Sequence, residues 1–311
     1  MRKPDDCSLT HAQRAKVRAE AERALREAGA LGVFPTPVAD IMSVAKVEEV
    51  KEDVLNESFI QKLRAKARGA GQSLKTALSK VLGLFHASEG LVFIDKSLME
   101  VKKTFVRLHE SAHGFLPWQR TMYAVVEDCE HSLDPDVAEA FDREANVFAS
   151  EVLFQLDAFI EESRSKDFGI FVPVNMSKKY GASLYASIRQ YVSKNDRACV
   201  VLVLNPPEVV PGDGFRASLR RVVPSDSFAK RFGDLVWPEI FTPSDEIGAM
   251  VPLGVRRASG KRSLGLMDKN GVKHDCVAES FTSKRQVFVL IFAKSAMTTT
   301  TIILPASFKM S

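Results

Sequence analysis

The stretch Leu91–Phe115, LVFIDKSLMEVKKTFVRLHESAHGF, decides how the rest of the chain is read. Its first five residues form a short, apolar, β-prone run that predicts a strand. From about Ser97 the apolar spacing becomes helical, and it runs to Phe115 with Pro117 as the stop signal. Inside that helix, His109-Glu110-Ser111-Ala112-His113 fits the pattern His-Glu-x-x-His. Two histidines four apart project from one helix face about one turn apart, so both imidazoles can converge on a single tetrahedral zinc ion. Glu110 is offset around the helix. There it can accept a proton from a zinc-bound water, whose pKa the metal lowers from 15.7 to about 7.

A zinc site that keeps one position open needs a third protein ligand. The next long helical pattern, Val137 to Ile160, has Phe141, Ala145, Phe148, Val152 and Phe159 on one face and offers Asp142, Glu144 and Glu151 as acidic candidates. Asp142 shares a stripe with Asn146, Ala149 and Leu153 beside the apolar face, whereas Glu144 aligns with Glu151 and Gln155 on what reads as the wet face. That pattern favours Asp142 and keeps Glu144 as the alternative. The segment between Pro117 and Asp134 is polar and turn-rich, and it reads as a loop of functional length.

Upstream, Ala12 to Ala28 reads as a solvated helix, Thr36-Pro37 as an N-cap and first-turn proline opening a helix through Val44, and Glu57 to Arg68 and Ser73 to Leu84 as further helices. Downstream, Asn175 to Tyr180 and Ser183 to Val192 form a helix pair bent at Gly181. Beyond Asp196 the pattern turns to strands: Ala198 to Leu204, Phe215 to Val223, Ser263 to Asp268, Val272 to Glu279, Gln286 to Ala293 and Thr299 to Leu304, with Asn270-Gly271 as a hairpin turn. The chain is thus expected to be α+β, with units at 1–165, 166–195 and 196–311.

Composition bounds the class without naming the function. Of 311 residues, 45% are hydrophobic and 26% charged, the profile of an ordinary globular chain rather than a disordered one. No run is long enough to span a bilayer, and the charged N-terminus is unlike a signal peptide, so the expected location is the cytoplasm. Four scattered cysteines, Cys7, Cys129, Cys199 and Cys276, argue against a disulfide framework or a zinc ribbon. The net charge of +4 is uneven, with 16 Lys/Arg against 11 Asp/Glu from Asp196 onward.

LVFIDKSLMEVKKTFVRLHESAHGF followed by FDREANVFASEVL (Phe141–Leu153) resembles the core of the ImmA/IrrE family of metallopeptidases. VNMSKKYGASLYASIRQYV (Val174–Val192) is similar to the helix-turn-helix-like segment that follows that core in many members. The resemblance covers roughly Pro35 to Val192. It implies a zincin-like peptidase domain, a helix-turn-helix-like connector and, as in some members, a GAF-like C-terminal sensory domain. In the family the acidic residue four before the Asn is the third zinc ligand. The matching position is Asp142, where the family usually has Glu. The implied role is a zinc endopeptidase that cleaves a helix-turn-helix repressor, switching on stress, DNA-damage, mobile-element or phage-defence genes.

Several further residues carry expectations of their own. Cys129 and His131 fall in the loop joining the two ligand helices. A Cys129 thiolate could fill the open zinc position and hold the enzyme inactive, and His131 or Tyr123 could stabilise an oxyanion. LVFID could be an edge strand that pairs with a substrate backbone, or a central core strand. Arg220-Arg221, Arg256-Arg257, Lys261-Arg262 and Lys284-Arg285, with Phe215, Trp237 or Phe281 stacking on bases, could make a surface for single-stranded DNA; a small ligand is the other expected activator. The competing reading is a DNA-binding regulatory module whose zinc site is structural or vestigial.

Overall fold

The computed structural model describes residues 9–49, 83–86, 90–94, 98–128, 135–212, 214–255, 257–283 and 285–294. The expected helix Glu57 to Arg68 and strand Thr299 to Leu304 lie outside these residues, as does the expected helix from Ser73 apart from Gly83 and Leu84, which open a strand instead. The chain divides into two compact units, Met1–Tyr191 and Val192–Ser311. Both helix and sheet are present, as the sequence pattern requires of an α+β chain. Among the described residues no helix is long and apolar enough to cross a membrane.

The first unit is built around three helices. Helix α1 (His11–Glu27) opens with a capping box, in which the Thr10 side chain accepts from Gln13 N and the Gln13 side chain accepts from Thr10 N. Its buried residues Val17, Ala21, Ala24 and Leu25 recur at helical spacing and form the single apolar stripe of an otherwise charged helix. A short α2 (Val38–Val44) follows. Thr36 does not cap it. The N-cap is Pro37, and the Thr36 hydroxyl instead donates to Val152 O at 3.2 Å.

Strands β1 (Glu48–Glu49), β2 (Gly83–His86) and β3 (Leu91–Ile94) form a sheet of order β1-β3-β2, with β1 parallel and β2 antiparallel to β3. β3 is therefore central. Both of its edges are already paired, which rules it out as the edge that would receive an added substrate strand.

Helix α3 (Glu100–Phe115) carries the two histidines and buries Val106, Leu108, Ala112 and Phe115. Arg107 on its flank ties it to the sheet through Glu49, at 2.8 Å and 3.2 Å. After a single extended residue, Leu116, the chain does not enter a loop but starts α4 (Pro117–Asp128). Pro117 stops one helix and begins the next: it occupies the first helical position, where its missing N–H costs nothing and its fixed φ is already helical.

Helix α5 (Pro135–Leu153) packs against both α3 and α1. Burial of Phe141, Ala145, Phe148 and Val152, with the Phe148 ring 5.7 Å from that of Phe115, holds α5 to α3. Each large side chain so buried stabilises by roughly 1.5–3 kcal/mol. The expected continuous helix to Ile160 is interrupted, because Gln155 and Leu156 take positive φ (49° and 60°) before α6 (Ala158–Arg164) begins. The buried Gln155 side chain explains the break. It accepts from Gly32 N at 2.7 Å and donates toward Ala30 O, Val33 O and Thr36 Oγ1, pinning the loop before α2. Helices α7 (Phe171–Lys179) and α8 (Leu184–Ser193) flank Gly181, whose φ of 62° makes the expected bend.

The second unit is an antiparallel sheet with strands β4 (Cys199–Leu204), β5 (Glu208–Val210), β6 (Gly214–Pro224), β7 (Ile240–Phe241), β8 (Arg262–Met267), β9 (Lys273–Ser283) and β10 (Gln286–Ala293). The order is β5-β6-β4-β10-β9-β8, with β7 on β6. β4, the run CVVLVL, is buried at every residue, as a strand lying between two others and covered on both faces must be. Val200, Leu202, Leu204, Val287, Val289 and Ile291 face a core completed by Phe228 and Phe232 of helix α9 (Asp226–Phe232). Ser225 caps that helix by accepting from Phe228 N. Asn270-Gly271 turns β8 into β9 as expected, with Asp268 accepting from Asn270 N and Val272 N.

Candidate metal centre

On α3, the four-residue spacing brings His109 Nε2 and His113 Nε2 to 3.3 Å of each other. Asp142, on the first turns of α5, places Oδ1 3.9 Å from His109 Nε2 and 4.0 Å from His113 Nε2. The three groups offer ligand atoms within 4.8 Å of one another, so they could hold a metal ion. Two ligands each about 2.0–2.1 Å from a tetrahedral zinc lie about 3.3 Å apart, which is the separation of the two imidazole nitrogens. The carboxylate stands somewhat wider. Its side chain is 65% exposed against 18% and 5% for His109 and His113, so it has room to close the gap.

The outer nitrogens of both rings are engaged. His109 Nδ1 lies 3.1 Å from Asn146 Oδ1, and His113 Nδ1 lies 2.7 Å from Gln119 Oε1. An amide oxygen can only accept, so each ring donates from Nδ1 and turns its Nε2 lone pair toward Asp142. Burial holds both rings in the neutral form that a metal needs. It depresses His109 to about 4 against the opposing hydrogen bond to Asn146, and His113 to about 3 with the charge of His109 adding to the effect.

Glu110 is buried, and burial, reinforced by the charge of Asp142, pushes its carboxyl up to about 8. Without a cation nearby this carboxyl is protonated at neutral pH. A divalent ion among its neighbours would favour the carboxylate. Tyr123, edge-on to His113 with ring centroids 5.3 Å apart, is held above the usual tyrosine range, chiefly by burial and then by Asp142 and Glu110. It stays a neutral hydrogen-bond donor beside the cluster.

Glu144 belongs elsewhere. It is buried, and its Oε2 accepts from Trp118 Nε1 and Gln119 Nε2, both at 2.7 Å. The stripe expected to be the wet face is buried: Glu144 meets α4, which the loop reading of Pro117–Asp134 had hidden, Glu151 meets Arg18 of α1, and Gln155 meets the loop before α2. Gln119 was missed for the same reason, and a proline at the first helical position was the signal that could have found it. Asn146 stood in the motif without a role. Cys129 and His131 lie outside the described residues.

No family profile matches the chain, and no curated protein matches it. Among solved structures, a Mycobacterium tuberculosis transcriptional regulator aligns over 93% of this chain and 78% of that one, at 11% identity and a TM-score of 0.48.

The basic pairs of the second unit fall on several strands, and only some of them are among the described residues. Arg220 and Arg221 lie on β6 and Arg262 on β8, with β4, β10 and β9 between those strands. Lys261 approaches Glu279 at 3.4 Å, and Arg256 and Lys284 are outside the described residues. Phe215 and Phe281 are buried and Trp237 packs against the core. Phe215 faces the core, and Phe281, on the other face of the sheet beside Phe288, is buried as well, so neither is an open platform for bases. In the helix pair around Gly181, Lys179 pairs with Glu162 at 2.7 Å.

Proposed function

We propose that the chain is a zinc-dependent endopeptidase of the ImmA/IrrE type, with a zincin-like first unit and a GAF-like sensory second unit. His109, His113 and Asp142 would hold the metal and Glu110 would act as the base. The observation that carries this reading is the convergence of two neutral imidazoles and a carboxylate beside a buried glutamate, on the two helices that bear the motifs. When bound, zinc supplies Lewis-acid polarisation of a peptide carbonyl and acidifies a coordinated water. Glu110, at the next helical position to His109, takes the proton from the attacking water and returns it to the leaving amine. Tyr123, whose ring lies beside His113, would donate to charge developing on the carbonyl oxygen. With both imidazoles buried and Asp142 facing solvent, a polypeptide would approach from the Asp142 side.

The proposed substrate is a small helix-turn-helix repressor, cleaved in response to stress or DNA damage. Single-stranded DNA or a small ligand at the second unit is the proposed signal. The test is Glu110→Gln, assayed on a helix-turn-helix protein encoded beside this chain's gene. Cleavage is expected to fall by at least about 10²-fold, the ordinary contribution of a general base, with zinc content unchanged. A DNA-binding module with a structural zinc would keep its full regulatory output in that variant.

A further inference from the structure

Behind His113 runs a chain of hydrogen bonds that ends on the buried carboxylate of Glu144. Gln119 Oε1 faces His113 Nδ1 at 2.7 Å, while Gln119 Nε2 donates to Glu144 Oε2 at 2.7 Å and to Phe141 O at 3.2 Å. The same Glu144 oxygen accepts from Trp118 Nε1 at 2.7 Å. Gln119 has no exposed surface.

The amide has one satisfactory orientation. Turned over, it would set its oxygen against the Glu144 carboxylate and the Phe141 carbonyl, and its NH2 against His113, leaving buried acceptors facing one another. Glu144 and Phe141 O therefore decide which end of Gln119 meets the imidazole. That in turn decides which ring nitrogen of His113 carries the proton. Two helices contribute: α4 supplies Trp118 and Gln119, and α5 supplies Phe141 and Glu144.

We propose that Gln119 and Glu144 are positioning residues for the metal centre: Glu144, oriented by Trp118, fixes the Gln119 amide so that His113 keeps its proton on Nδ1 and presents Nε2 to the ion. This rests on the zinc reading above for its consequence, but the hydrogen-bond chain stands without metal. It also gives Glu144 a role distinct from that of a third ligand. Outer partners of this kind commonly contribute 10–100-fold to metal affinity.

Two measurements on the full chain test it. In the metal-free protein, nitrogen-15 NMR of the histidine side chains is expected to find the His113 proton on Nδ1; a proton on Nε2 overturns the proposal. Zinc affinity, measured by chelator competition on variants whose circular dichroism matches wild type, is expected to fall about 10–100-fold for Gln119→Leu and for Glu144→Leu. Glu144→Gln keeps an oxygen acceptor and is expected to stay close to wild type. Unchanged affinity in Gln119→Leu overturns the inference, and so does a loss in Glu144→Gln as large as that in Asp142→Asn, which would make Glu144 a ligand. Failure of the wild-type chain to bind zinc would sink the metal reading, while the tautomer measurement still judges the hydrogen-bond chain.

Discussion

His109, His113 and Glu110 respond to burial in opposite senses, and this sets a pH dependence for the metal-free protein. The folded values of about 4 and about 3 for the histidines lie below the ordinary 6.5, so over that interval the unfolded state binds more protons and stability rises with pH. Glu110, raised from 4.5 to about 8, binds more protons in the folded state, so its contribution is full below 4.5 and is lost as pH rises toward 8. Two histidines outweigh one glutamate up to about pH 6.5, above which the glutamate acts alone. Denaturant unfolding of the zinc-stripped chain is expected to give greatest stability near pH 6.5, with the decline above it abolished in Glu110→Gln. A decline that persists in that variant would locate its source elsewhere.

Still at the residue scale, the His-Glu-x-x-His spacing was readable because it needs only a helix to acquire meaning. Asp142 does stand beside the histidines, but the stripe argument that favoured it misjudged burial, since Glu144, Glu151 and Gln155 are buried and Asp142 is exposed. The partners Gln119 and Trp118 were not readable, because their role depends on which helix faces α5, and no periodicity carries that information.

Among the elements, α4 and the end of α5 diverged most from expectation. Pro117 read as a stop because the sequence does not distinguish a proline that ends a helix from one at the first position of the next. Gln155 sits in a helical pattern, and only the four groups it reaches in the loop near Ala30–Thr36 make its left-handed backbone favourable. Gln155→Leu is accordingly expected to destabilise the first unit by about 3 kcal/mol or more, since each buried group left unsatisfied costs roughly 1–3 kcal/mol. A loss under about 1 kcal/mol in chemical denaturation would show that water or a local shift replaces the side chain. Strands β4, β6, β8, β9 and β10 of the second unit, by contrast, were legible from β-prone runs and the Asn270-Gly271 turn, whereas the short β5 and β7 and the pairing of β4 with the distant β10 were not.

For the whole molecule, the change from helical to strand patterning near Asp196 falls beside the division into units at Tyr191 and Val192. The metal cluster lies wholly in the first unit. Zinc is therefore expected to raise the unfolding transition of that unit with free metal concentration, by about 2.7 kcal/mol at a hundred times the dissociation constant. Calorimetry over a zinc titration checks this, and a transition that does not move with zinc would contradict it. What the sequence left out at this scale was the strand order, which sets three strands between β6, with Arg220 and Arg221, and β8, with Arg262.

The central claim is a metal centre formed by His109, His113 and Asp142. Metal analysis of the purified full-length chain and three variants tests it most directly. The account predicts one zinc per wild-type chain, one in Glu110→Gln, and loss of zinc in His113→Ala and Asp142→Ala after dialysis against a weak chelator. A wild-type chain without zinc, or full zinc retained in Asp142→Ala, would contradict it.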